Sequence, residues 1–181
     1  MDKQENPEKR AAFAVADLMA AAAKTAPKGS GADNVEILIL AGADKDALAL
    51  QMREIAVEIH AEFFDRDAGN VDQSHCVVLI GVHDNPLLLD DCGFCGFPDC
   101  GAARAAGANC AFNLTDLGIA VGSAVSVAAD HRIDNRVFYS AGKAALRMQW
   151  FPPDVKVCYG IPLSTGSKSI FFDRDPNNVL V

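Results

Sequence analysis

The chain has 181 residues, 50% of them hydrophobic and 22% charged, with a formal net charge of −8. That length and composition suit one globular domain, 1–181, able to bury roughly 70% of the surface its unfolded chain exposes. Asp and Glu are spread along the sequence, a balance that disfavours nucleic-acid phosphate and anionic membrane as partners.

The opening stretch, MDKQENPEKR, is charged and polar and lacks the pattern of a secretory signal, so a cytoplasmic location is expected. Asn6-Pro7 reads as a cap followed by proline at the first helical position, and an Ala-rich helix then runs to Lys24. The run Ala26-Pro27-Lys28-Gly29-Ser30-Gly31 breaks it. A strand over 35–40 precedes one amphipathic helix over 44–64, whose Leu48, Met52, Ile55, Ile59 and Phe63 recur at helical spacing. The run CVVLIGV over 76–82 reads as a buried strand. Downstream, a long helix is expected over 113–132, opened by Asn113 as its cap with Asp116 three residues on. The apolar run at 117–129 within it is too short and too rich in small residues for a membrane span. A helix over 138–148, a strand over 155–160 and an extended tail over 169–181 complete an α+β reading.

Four of the six cysteines lie in the segment 91–113, spaced C-x2-C-x4-C-x9-C at Cys92, Cys95, Cys100 and Cys110. In a chain without a signal sequence, such clustering points to a metal centre rather than disulfides. Gly93, Gly96 and Gly101 each follow a cysteine, and glycine allows the positive φ and close backbone approach that a loop around a cluster needs. Amide groups exposed in this way can donate hydrogen bonds to cluster sulfur. Pro98 fixes the turn, a short helix is expected over 101–106, and Gly107 stops it so that Cys110 can return to the site. Phe94 and Phe97 would form an apolar sleeve. These features favour an iron–sulfur cluster, 4Fe–4S ahead of 2Fe–2S, with a four-thiolate zinc site as the alternative.

The run CGFCGFPDCGAARAAGANC resembles the four-cysteine 4Fe–4S domain of the corrinoid iron–sulfur protein and of the B subunit of membrane ferredoxin-oxidising complexes. The match holds at Cys92, Gly93, Cys95, Gly96 and Cys100; the gap before Cys110 is shorter than that motif's. The whole chain also resembles an uncharacterised family of prokaryotic ferredoxin-domain proteins, with GIPLSTGSKSIFFDR over 160–174 as its closing signature. A further resemblance, carried by Pro27 with Asn34 and by Asp116-Leu117-Gly118-Ile119-Ala120, is to nitroreductase-like flavoproteins. It implies a three-layer sandwich with the cysteine loop inserted, and a homodimer packed through long helices. The Arg-rich motif that grips flavin phosphate in those enzymes is absent, and only Lys9, Arg10, Lys24 and Lys28 stand near the expected place. FMN is therefore not favoured.

Cys76 and Cys158 sit in apolar strand-like runs and read as core residues. His60, His75, His83 and His131 lack metal-binding spacing, and Gly29-Ser30-Gly31 lacks phosphate-loop spacing. Gly118, Gly122 and Ser126 form a small-residue stripe suited to close helix packing. Asp90 and Asp91 read as a solvated turn that would lower the potential of a nearby cluster. The expectation is a protein moving single electrons to a partner protein or small-molecule acceptor. An oxidoreductase using flavin and cluster, and a zinc-stabilised binding module, are the alternatives.

Overall fold

Helix α1 (Pro7–Thr25) begins as its sequence predicts. The Asn6 side chain accepts hydrogen bonds from the amides of Glu8 (2.9 Å) and Lys9 (3.2 Å), and Pro7 occupies a position whose N–H has no helical partner anyway. The structure is a computed structural model describing residues 6–172, so most of the tail expected over 169–181 lies outside the described residues.

The strands β1 (Val35–Leu40), β2 (Cys76–His83), β3 (Asp134–Asn135) and β4 (Val155–Ser164) form one antiparallel sheet in the order β1-β2-β4-β3. Alternation along β2 divides its side chains between two cores. Cys76, Val78, Ile80 and Val82 join the core shared with α1 and α5 (Ala111–Asp130). Val77 and Leu79 join the core shared with α2 (Gly42–Glu58), α3 (Glu62–Gln73) and α6 (Tyr139–Arg147). A strand covered on both faces must be apolar at every position, which is why CVVLIGV reads as a continuous run. Each large side chain buried completely, such as Leu79, Ile80 or Leu163, contributes about 1.5–3 kcal/mol relative to exposure. The result is the mixed, three-layer helix–sheet–helix sandwich that the sequence suggested.

Close approach shapes both layers. Fully buried Ala12, Ala16 and Ala23 of α1 and Ala120, Ala124 and Ala128 of α5 share one core. On the other face α6 lies almost on the backbone of β4: a Cβ on Gly142 would stand 1.8 Å from the carbonyl oxygen of Cys158.

The structure corrects several expectations. The helix expected over 44–64 is two helices, broken at Ile59–Ala61, where His60 takes a left-handed φ of 53°. Phe64, rather than Phe63, is the fully buried ring, and Ile59 is 48% exposed. Strand β4 continues through Pro162 to Ser164, and α5 starts at Ala111 with Cys110, not Asn113, at its cap. Helix α5, with 20 residues, is long and apolar enough to cross a membrane by length and composition. Its buried side packs on α1 and the sheet, as a core helix does. The stripe of Gly118, Gly122 and Ser126 is exposed, and among the described residues no atom of another element lies within 4 Å of a Cβ built on either glycine.

Candidate metal centre

The chain leaves β2 at His83 and returns at α5, and the segment between carries the four clustered cysteines. Gly93 and Gly96 adopt φ of 57° and 82°, and the N–H of Gly96 donates to the carbonyl of Gly93 at 2.9 Å. These left-handed turns are the conformations for which glycine is needed. Gly101 lies inside helix α4 (Cys100–Ala105), close to the short helix expected over 101–106, and unlike Gly93 and Gly96 it has no positive φ. A Cβ there would meet Asp99 Oδ1 at 3.0 Å, the oxygen that caps α4 by accepting from Ala102 N–H at 2.8 Å. Gly107, with φ of 68°, ends α4 as predicted. Cys110 then sits at the N-cap of α5, the positive end of a 20-residue helix and the end that suits an anionic centre.

These turns bring Cys92, Cys95, Cys100 and Cys110 to the wall of one concavity of about 200 Å³. Leu88, Leu89, Phe94 and Phe97 supply apolar walls, and Asp90, Asp91 and Asp99 also line it. All four thiols are half-buried and free. Among the described residues, no three His, Cys, Asp or Glu side chains are gathered closely enough to hold a metal ion. Four soft thiol donors around one apolar-walled concavity still match, in kind and number, what a tetrahedral zinc or an iron–sulfur cluster requires. Phe94 is 74% exposed and stacks on Phe112 of α5, so it braces the loop more than it sheathes the thiols.

Cys76 and Cys158 lie in opposite cores, away from this wall. Burial pushes both thiols up to about 12, with Asp17 adding to the rise at Cys76 and a backbone hydrogen bond from Ile80 opposing it at Cys158. Two of the four histidines are engaged elsewhere: His75 Nε2 meets Thr165 Oγ1 at 2.8 Å, and His83 bridges Glu36 and Asp154. Two of the lysines weighed as phosphate ligands are also occupied. Lys28 Nζ donates to the carbonyls of Ala23, Lys24 and Ala26, capping α1, while Lys24 pairs with Asp33 and the Val35 carbonyl.

One feature beside the site was not anticipated. Asn113 and Asp116 point inward from the first turns of α5 instead of capping it. Asn113 Oδ1 accepts the backbone N–H of Asn85 (3.2 Å), Asn85 Nδ2 donates to Asn34 Oδ1 (3.0 Å), and Asp116 Oδ1 accepts from Gly29 N–H (3.0 Å). The signal in the sequence was Asn113 and Asp116, three apart at the start of a mostly apolar helix, a spacing that puts both on one face.

Residues 106–174 match the family described as uncharacterized protein containing a ferredoxin domain (DUF2148). An uncharacterized protein of Archaeoglobus fulgidus is 40% identical over 167 residues, covering 88% of this chain and 89% of its own. The chain belongs to this ferredoxin-domain family. The matched segment contains Cys110 and begins downstream of Cys92, Cys95 and Cys100.

Nitroreductases are among the solved structures similar to this family member. The FMN-dependent nitroreductase of Clostridium difficile has a TM-score of 0.54 at 15% identity, with 93% of this chain and 80% of that chain covered. A nitroreductase with bound FMN from Desulfitobacterium hafniense also scores 0.54 at 15% identity, over 92% of this chain and 82% of its own. B. megaterium NfrA2 scores 0.53 at 15% identity, and the chain, 93% covered, spans only 61% of its length. At these identities the likeness is one of fold, and it bears out the nitroreductase-like sandwich.

Proposed function

We propose that Cys92, Cys95, Cys100 and Cys110 hold one iron–sulfur cluster, 4Fe–4S rather than 2Fe–2S, and that the protein passes single electrons between redox partners. The observation that carries this reading is four free thiols on the wall of one concavity, in a chain of a family named for its ferredoxin domain. When bound, such a cluster supplies a one-electron couple. The residues around it would set how that couple behaves. The Gly93 and Gly96 turns fold the loop so that its thiols share one wall, Leu88, Leu89 and Phe97 limit water, and the carboxylates of Asp90 and Asp91 disfavour added negative charge. The test is a serine series. Cys92→Ser, Cys95→Ser, Cys100→Ser and Cys110→Ser should each lower bound iron and sulfide, whereas Cys76→Ala and Cys158→Ala should not. Iron retained through the loop substitutions, or lost through either core substitution without unfolding, would reject the ligand set.

A second reading, a flavin- and cluster-dependent oxidoreductase, draws support from FMN-binding nitroreductases of the same fold. The engagement of Lys24 and Lys28 weighs against it, because flavin phosphate calls for free cationic donors. A zinc-stabilised binding module is the third reading, separated from both by metal analysis.

The proposal includes a homodimer through α5. Seven of the 20 residues of this apolar helix are buried among the described residues, and its open Gly118 and Gly122 would let a second helix approach closely.

A further inference from the structure

The polar network under the cysteine loop is unusual in what it buries. Asn34, Asn113 and Asp116 retain 7%, 2% and 3% exposure. Asn34 Nδ2, Asn113 Nδ2 and Asp116 Oδ2 have no hydrogen-bond partner among the described residues. Each unsatisfied group of this kind is costly to bury, and apolar side chains of similar size would avoid the cost. Asn85 ties Asn34 to Asn113 directly, and Asp116 lies one helical turn from Asn113 on the same buried face. The three unpaired atoms thus belong to buried residues at one junction, where the first turns of α5 meet the start of β1 and of the cysteine segment. The Asn113 amide cannot turn over without losing the Asn85 N–H, so its unpaired group is a donor.

We infer that this network binds one structural water, which accepts hydrogen bonds from Asn34 Nδ2 and Asn113 Nδ2 and donates one to Asp116 Oδ2. Two donors and one acceptor are the complement of a single water, and buried waters typically make about three hydrogen bonds. A cation would face two amide N–H groups, an anion would face the Asp116 carboxylate, and an apolar group would leave all three atoms unsatisfied.

The position gives the water a role. Asn85 lies just after β2, where the cysteine segment begins, and Asn113 lies three residues after Cys110, where it ends. The bond between them closes the loop at its neck. Gly29 completes the junction: it donates to Asp116, and a Cβ on it would stand 2.6 Å from Leu87 Cδ1 of the same segment. Asn113 is thus a positioning residue for the loop, and the water is the keystone of the clasp.

Magnetic relaxation dispersion of water on the full chain, comparing wild type with Asn113→Leu, tests this by counting long-lived internal waters. The variant should lose one, and should release iron to a chelator faster. The iron readout rests on the cluster reading, while the water count stands without it. Should Asn113→Leu fail to fold, a high-resolution crystal structure of the wild type decides, with water expected within hydrogen-bond distance of all three atoms. Equal water counts in a folded variant, side chains turned to satisfy one another, or an organic molecule bound at these atoms would overturn the inference.

Discussion

The ring of Phe94 lies almost parallel to that of Phe112, with centroids 5.2 Å apart and planes 8° from parallel. Phe94 belongs to the cysteine loop beside Cys95, and Phe112 to α5 two residues after Cys110, so the stack joins the loop to the helix that carries its last thiol. Phe94→Ala should remove about 0.5–1.5 kcal/mol of pair interaction, with the lower end expected because Phe94 is largely exposed. Global stability should barely change, while iron release to a chelator should accelerate. Unaltered release in a variant that has lost the stack would show that it does not brace the site.

Gly142→Ala should be among the more damaging single substitutions in the chain. Its Cβ would stand 1.8 Å from the Cys158 carbonyl oxygen and 2.9 Å from Tyr159 Cα, both backbone atoms of a central strand. Relieving that overlap means moving α6 off β4, at a cost of about 3 kcal/mol or more. For a chain of this size, a drop in Tm of roughly 6–12 °C follows, measurable by circular dichroism. A Tm within about 1 °C of wild type would mean that α6 sits further from the sheet.

The core thiols should be silent. With Cys76 and Cys158 both pushed up to about 12 by burial, they stay neutral and shielded at mildly alkaline pH. Iodoacetamide applied to native metal-free protein, followed by peptide mass mapping, should label Cys92, Cys95, Cys100 and Cys110 but not Cys76 or Cys158 until denaturant is added. Rapid native labelling of Cys76 or Cys158 would contradict their place in the core.

How far the sequence carried is visible in these residues. The Asn6-Pro7 cap, the apolar run of β2 and the cysteine spacing are local signals, and each element lies close to where it was expected. The break between α2 and α3 was hidden because Ile59 and Phe63 continue the helical period while His60 turns the backbone left-handed. β4 was cut short because Gly160 and Pro162 look like strand punctuation, although Pro162 pairs with Val77 in the register. β3 has only two residues, too few for any period. The Asn34–Asn85–Asn113–Asp116 network was out of reach for another reason: its partners lie far apart in sequence and meet only once the sheet is built.

Acid should weaken the fold through Asp33 and Asp154. Burial pushes the Asp33 carboxyl up, but its bonds to Lys24 and the Val35 amide, with the charges of Lys24 and Lys28, hold it below the usual value. Asp154 is held low chiefly by its hydrogen bond to His83. A folded-state value below the unfolded one gives stability that is complete above the ordinary carboxylate range and is lost as pH falls through the lowered value. Both groups are exposed, so the effect is small and screened by salt. Asp33→Asn should flatten the dependence of the denaturation midpoint on pH between about 7 and about 3; a dependence as steep as wild type would remove Asp33 from the explanation.

The open face of α5 bears on assembly. Gly118→Glu places a charge on the stripe proposed to meet a second copy, where no side chain among the described residues stands within 4 Å. Light scattering at micromolar concentration should report a dimer for wild type and a monomer for the variant, with little change in the Tm of the subunit. A stable wild-type monomer would end the dimer proposal.

The most direct measurement is the visible spectrum of protein purified without oxygen from cells grown with ample iron, recorded before and after dithionite and accompanied by iron and acid-labile sulfide assays. If Cys92, Cys95, Cys100 and Cys110 hold a redox-active cluster, the protein is brown, contains iron and sulfide in similar amounts, and bleaches on reduction. A colourless protein carrying one tightly bound zinc per chain would contradict it.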